Sequence, residues 1–189
     1  MRKINENGRS MVEMLGVLAI IGVLSAGGLA GYSKAMFKHK LNTTLDQMTM
    51  LITNIRTMYG TQDNYNGLAT DVIKLGIIPA TMGTSVSALS NPFKGKVSIA
   101  TGEAKQGEAD TAFLIKYEGL PAEACVAIAT SDWGAGAGSG FIGVDADSST
   151  GADASSKYVG AGEGQSLSVT TAINDCGTAN TSSVSLKFY

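Results

Sequence analysis

The sequence predicts an α+β protein: one long N-terminal α-helix, with a transmembrane half and an amphipathic half, packed on an antiparallel β-sheet head that carries one disulfide. Three observations carry this reading. Residues 14–32 are 19 residues without a formal charge. Residues 41–59 hold an apolar stripe at helical spacing. Beyond Gly60 the chain breaks into short apolar segments separated by turn-rich stretches, with two cysteines, Cys125 and Cys176.

The uncharged run measures about 28 Å as a helix, close to the thickness of a bilayer's hydrocarbon core. Glu13 stands at its head, and a carboxylate there is costly unless it lies at the interface or finds a partner. Downstream, Leu41, Leu45, Met48, Ile52, Ile55 and Tyr59 are spaced 4, 3, 4, 3, 4 and line one helix face. Asn42, Asp46, Asn54 and Arg56 fall mostly off that stripe. Gly60 is a plausible stop before the turn-rich TQDNYNG. No proline interrupts residues 9–59, so the pattern predicts one helix of about 51 residues and about 77 Å. Gly22-x-x-x-Ala26 and Gly27-x-x-x-Gly31 are spacings that let helices approach closely, although glycine is also ordinary in membrane helices. A cleaved secretory signal is the competing reading, with Ser25-Ala26-Gly27 as a mimic of its cleavage site. Against it, the apolar run is long and continues into the amphipathic helix. Arg2, Lys3 and Arg9 before the run and Lys34, Lys38 and Lys40 after it balance one another, so charge does not orient the span.

With 189 residues, a net charge of −2 and only 16% charged residues, the chain lacks the basic footprint of a nucleic-acid binder. Aromatics are 6%, which predicts a lean core in need of reinforcement. An even cysteine count in a membrane-targeted chain favours a Cys125–Cys176 disulfide formed in an oxidising compartment, against two unrelated buried thiols. Closing a loop of that length is worth about 4 kcal/mol in the chain-entropy model.

The stretch NG-RSMVEMLGVLAIIGVLSAGG resembles the start of type IV pilin precursors: a short basic leader ending in glycine, a glutamate at the fifth mature position, then an apolar helix. The resemblance implies a leader of residues 1–8, cleavage between Gly8 and Arg9 by a prepilin peptidase, and methylation of the new N-terminus. It places an assembly role on Glu13, which in pilins pairs with the N-terminal amine of a neighbouring subunit. Arg9 departs from the apolar first residue usual in the family and sets a second positive charge beside that amine. The implied organisation is 1–8 leader, 9–32 transmembrane and assembly half, 33–59 amphipathic half, and 60–189 head, with residues 125–176 bounded by the disulfide.

Several downstream stretches resemble the type IVb subgroup. LATDVIKLGIIPATM (68–82) looks like its short helix and turn, with Leu68, Val72, Ile73 and residues 75–77 as an apolar face. NPFKGKVSIAT (91–101) looks like the turn into a first strand. LPAEACVAIA (120–129) reads as a helix with Pro121 in its first turn. AINDCGTANTSSVSLKFY (172–189) looks like the second cysteine region and a closing strand, in which VSLKF alternates as a one-sided strand should. KVSIA, AFLIKYE, FIGV and SLSVT are the candidate strands.

Catalysis has little to stand on. His39 is the single histidine and sits between Lys38 and Lys40. There is no Gly-x-Ser-x-Gly elbow and no Cys-x-x-Cys. The glycine-rich WGAGAGSGFIG (133–143) lacks the Lys-Ser/Thr end of a phosphate loop and reads as a surface loop. In DADSSTGAD (145–153), Asp145, Asp147 and Ser149 alternate as in a calcium loop, but no glutamate closes it, and a solvated, variable loop is the stronger reading. The reading is therefore a non-enzymatic structural pilus subunit without cofactor or metal. Its expected partners are copies of itself, the prepilin peptidase, an inner-membrane assembly platform with its ATPase, and the membrane before assembly. Its expected places are the bacterial inner membrane as precursor and a surface pilus afterwards. The alternatives are a pseudopilin or minor pilin of a type II secretion-like apparatus, and a membrane-anchored binding or enzymatic domain.

Overall fold

The computed structural model describes residues 7–134, 139–160 and 164–189, with side chains from residue 11 onward. The first six residues of the expected leader, and residues 135–138 and 161–163 of the Gly/Ala/Ser-rich region, lie outside the described residues. The chain divides into two compact units, Met1–Asn42 and Thr43–Tyr189.

One helix, α1 (Asn7–Tyr59), runs through 53 residues. It stops before Gly60, where any Cβ would lie 2.7 Å from the Arg56 carbonyl oxygen. Within the second unit its buried face holds Met48, Ile52, Ile55 and Tyr59 of the expected stripe, with Thr44, Gln47 and Leu51 added, while Leu45 is half-buried. Two residues read as lying off the stripe are drawn in. Asn54 donates from Nδ2 to the Ile77 carbonyl at 2.9 Å, and Arg56 stacks over Phe188 at 5.1 Å.

Four strands follow, β1 (Val97–Gly102), β2 (Ala112–Leu120), β3 (Phe141–Asp147) and β4 (Ser182–Phe188), in the antiparallel order β1-β2-β4-β3. The turn into β1 is organised by buried Asn91, whose Oδ1 accepts from the N–H groups of Phe93 and Gly95 while its Nδ2 donates to the Glu118 carbonyl at 2.8 Å. A Cβ on Gly95 would sit 1.7 Å from that carbonyl oxygen, so only glycine fits the crossing.

Register sorts the side chains onto two faces. One face carries rows such as Ile99–Ile115–Leu186–Val144 and Phe113–Phe188–Phe141. The aromatic row continues through Tyr65 to Tyr59 of α1, with ring centroids 4.9 to 5.6 Å apart. Few aromatics suffice because they are gathered in one place. The other face is polar, with Ser98, Lys116, Ser185 and Asp145 at one level and Lys187 at the next.

That polar face corrects two expectations. VSLKF was read as one-sided, but β4 is central and every one of its residues is buried, Lys187 included. Lys187 Nζ donates to the Ser155 and Lys157 carbonyls at 2.7 and 2.5 Å and lies 4.6 Å from the Tyr158 ring. The 145–153 stretch was read as a solvated loop. Instead it begins inside β3 and continues as a strap across the sheet. Lys116 Nζ donates to the Thr150 carbonyl at 2.5 Å and Ala152 N donates to Ser183 Oγ at 3.1 Å. Alternation in the sequence cannot reveal a strap that arrives from elsewhere to satisfy a lysine.

Other differences are local. SLSVT is no strand: Ser168 caps α4 (Val169–Cys176), accepting from the Thr171 N–H at 3.1 Å. Pro121 is the residue before α3 (Ala122–Ala129), not part of its first turn. The helix expected near residue 68 is one turn, α2 (Leu68–Asp71); Val72 and Ile77 beyond it are buried, whereas Leu75 is 40% exposed.

Two outcomes follow for the strap. Lys187→Met leaves two carbonyls without their donor and should lower stability by about 1–3 kcal/mol in urea denaturation. The Asp147 carboxyl is held below its ordinary range by the Ser149 hydroxyl and N–H, and that of Asp153 chiefly by the Ser155 N–H. Both contributions are complete above the ordinary carboxylate range and vanish as pH falls through the lowered values. Amide exchange in residues 148–158 should therefore accelerate selectively in acid, below about pH 4.

Candidate functional site

In the first unit, α1 shows apolar side chains on every side. Met11, Val12, Met14, Leu15, Leu18, Ile20, Val23, Leu24 and Leu29 are each at least 62% exposed. An 18-residue window of the helix has mean hydropathy 2.1 and is 0% buried, so by length and composition it can cross a membrane. Continuous apolar surface of this extent marks contact with lipid or protein. Glu13 is exposed within it, one turn beyond Arg9. Gly8 and Arg9, the expected cleavage pair, lie inside α1.

The glycines of this half carry a further message. Among the described residues, a Cβ at Gly16, Gly22, Gly27, Gly28 or Gly31 would meet no atom within 4 Å beyond the helix's own neighbouring backbone. No contact among the described residues requires them, and each costs the helix roughly 1 kcal/mol against alanine in water. Close approach by another helix is a reason for them that lies outside the chain.

The second feature is the disulfide region. Cys125 and Cys176 are bonded across a separation of 51 residues, with Cα atoms 5.9 Å apart, and both are fully buried. The bond ties α3 to α4, and Ser182 Oγ donates to the Cys176 carbonyl at 2.8 Å to join α4 to β4. On α4, Val169 and Ile173 are 60% and 53% exposed at i, i+4 spacing. A separate small cavity of about 140 Å³ is lined by Met58, Leu75 and Ile77 with Asn54, Thr57 and Gly76. Sequence reading missed the α4 ridge; the Ser168-x-x-Thr171 cap was the available signal.

Among the described residues no group of three His, Cys, Asp or Glu side chains is placed to hold a metal. In the supposed calcium loop, Asp147 Oδ1 accepts from the Ser149 N–H and hydroxyl, and Asp145 Oδ2 accepts from the Asp153 N–H. These carboxylates shape the strap.

Comparison with known proteins bears on the part of the chain that the N-terminal motif does not cover. Residues 34–189 match the bundlin family. The chain belongs to the bundlin family. The bundlin match excludes residues 8–32, so head and N-terminal motif point to type IV pilins separately. The major structural subunits of the bundle-forming pilus of Escherichia coli O127:H6 and O111:H- are each 28% identical over 139 residues, covering 72% of this chain and 70% of theirs. The fold is that of TcpA, a type IV pilin from Vibrio cholerae El Tor, with TM-score 0.56 and 18% identity over 80% of this chain and 99% of that one. The type IVb pilin from Salmonella typhi gives TM-score 0.53 and 20% identity over 77% and 97%. The bundlin relatives are structural subunits.

Removing the staple tests its weight in this bundlin. The Cys125→Ala/Cys176→Ala variant should lose about 2–5 kcal/mol of stability. A thermal melt of the purified protein under non-reducing conditions reads this directly.

Proposed function

We propose that this bundlin is the major structural subunit of a type IV pilus, polymerised through α1. The observation that carries the proposal is the apolar half of α1, exposed on all sides and studded with glycines that no contact among the described residues explains. In this reading residues 1–8 are a leader removed by a prepilin peptidase, residues 9–32 hold the precursor in the inner membrane, and the same surface then packs against other copies. Residues 33–59 continue the helix and residues 60–189 form the head. An assembly platform and its ATPase extract the subunit into a surface filament.

Glu13 supplies the register. An unpaired carboxylate among apolar helices costs several kcal/mol, and the cost falls when a neighbour's amine meets it. Only one axial offset between copies brings the two charges together. The pair thus selects a geometry more than it adds stability. On the head, Val169 and Ile173 form an exposed ridge, and Met58, Leu75 and Ile77 line a cavity of the same unit. Docking of one into the other between copies is heterologous, and a heterologous contact whose rotation does not close propagates as an open helix.

Glu13→Ala should leave a membrane-bound protein with an intact head and reduce surface filaments to few or none, scored by electron microscopy and by shearing. Filaments at the normal level would contradict the role given to this carboxylate. Intact-mass measurement of the sheared material should show loss of residues 1–8 and a chain lighter by two hydrogens for the disulfide. Retention of Met1 would remove the leader from the account.

A further inference from the structure

The polar face of the sheet contains a cavity that the strap roofs but does not fill. Ser98 of β1, Lys116 of β2 and Ser185 of β4 stand side by side at one level of the register. Above them pass Gly151, Ala152 and Asp153, and about 300 Å³ remains between, floored by Ala100 and Leu114. One water occupies about 30 Å³ of liquid, whereas small-molecule sites begin near this volume.

Lys116 already donates to the Thr150 carbonyl, and the two oxygens of Asp153 accept from the Ser155 N–H and hydroxyl, each with capacity to spare. Ser185 is 2% exposed and Ser98 half-buried, and neither hydroxyl forms a hydrogen bond among the described residues, which leaves both available to an occupant of the space. The strap is fastened without these two: it uses Lys116 on the Thr150 carbonyl, Ser183 on the Ala152 N–H and Asp145 on the Asp153 N–H. The small residues Ala100, Gly151 and Ala152 keep the space open.

Charge decides what suits it. Lys116 lies on one wall, with Glu118 3.4 Å from its ammonium, and Asp153 lies on the other. A simple anion is attracted by Lys116 and repelled by Asp153; a simple cation meets the reverse. A molecule carrying both charges a few ångströms apart is attracted at both ends. Leu114 and Ala100 offer an aliphatic floor to the rest of it.

We propose that the cavity between Ser98, Lys116, Ser185 and the Asp153 segment binds a small zwitterion of amino-acid size. Its carboxylate faces Lys116, its ammonium faces Asp153, and the two serine hydroxyls complete its hydrogen bonds. This site is independent of polymerisation and of Glu13.

The test uses the full-length chain in detergent micelles, with ¹³C-methyl alanine labelling so that Ala100 and Ala152 report from floor and roof. L-Leucine is the zwitterionic probe, isovalerate and isoamylamine carry one charge each, and glucose is uncharged. Leucine should shift both methyl signals saturably. The two singly charged probes should bind at least about tenfold more weakly, a difference of 1.4 kcal/mol. Glucose should leave the signals in place. Ser185→Val, which keeps shape in the buried strand, should abolish the leucine response while leaving the melting transition in place. Lys116→Met separates charge from shape: it should weaken leucine and leave isoamylamine unchanged or stronger. No shift with leucine, equal shifts with all four probes, or a response that survives Ser185→Val overturns the proposal.

Discussion

The constraint on which the molecule depends is the apolar surface of the first half of α1, which the described residues leave exposed. Over residues 11–32 apolar side chains point in all directions. At about 25 cal/mol per Å² of apolar surface left in water, a helix of this kind is intolerable as a free element. Lipid answers that need, because a helix satisfies its own backbone hydrogen bonds and asks the bilayer only for an apolar surround. Close packing against other helices answers it too, and small residues such as the glycines of this half permit it. In the proposed filament Glu13 meets a neighbour's amine, whereas a carboxylate set in lipid is costly.

The second half of α1 solves the complementary problem. Its stripe from Met48 to Tyr59 is buried, so the head is built around this part of the helix. The sheet answers with one apolar face and an aromatic row through Tyr65, Phe113, Phe188 and Phe141. Its other face is kept polar and closed by the strap on Lys116 and Lys187. Beyond the sheet, the Cys125–Cys176 bond restrains a region whose two eight-residue helices are too short to be stable alone.

What could be read from the sequence divides along the same lines. The helix, its stop at Gly60, its stripe and all four strands are each signalled by neighbours in the chain, and the disulfide by the even number of cysteines. The features missed depend on distant partners. Nothing near Lys187 announces that carbonyls of residues 155 and 157 will receive its ammonium, so VSLKF reads as one-sided. SLSVT alternates like a strand, yet the Ser168 cap and the buried pair Ala172 and Cys176 make its end helical. Asp145, Asp147 and Ser149 alternate as in a calcium loop in one dimension; in three, backbone N–H groups take oxygens of both aspartates. Of the candidate site, a spacing in the chain singles out Glu13 and the Gly8–Arg9 pair, which remain proposals, whereas the α4 ridge needed the fold.

The most direct test of the central claim is a density map of the purified filament at side-chain resolution. The account predicts that residues 11–32 of each copy are enclosed by the same segment of other copies, with the Glu13 carboxylate within hydrogen-bonding distance of a neighbour's N-terminal amine. A filament held together by the heads alone, with this helical segment exposed to solvent and Glu13 facing water, would contradict it.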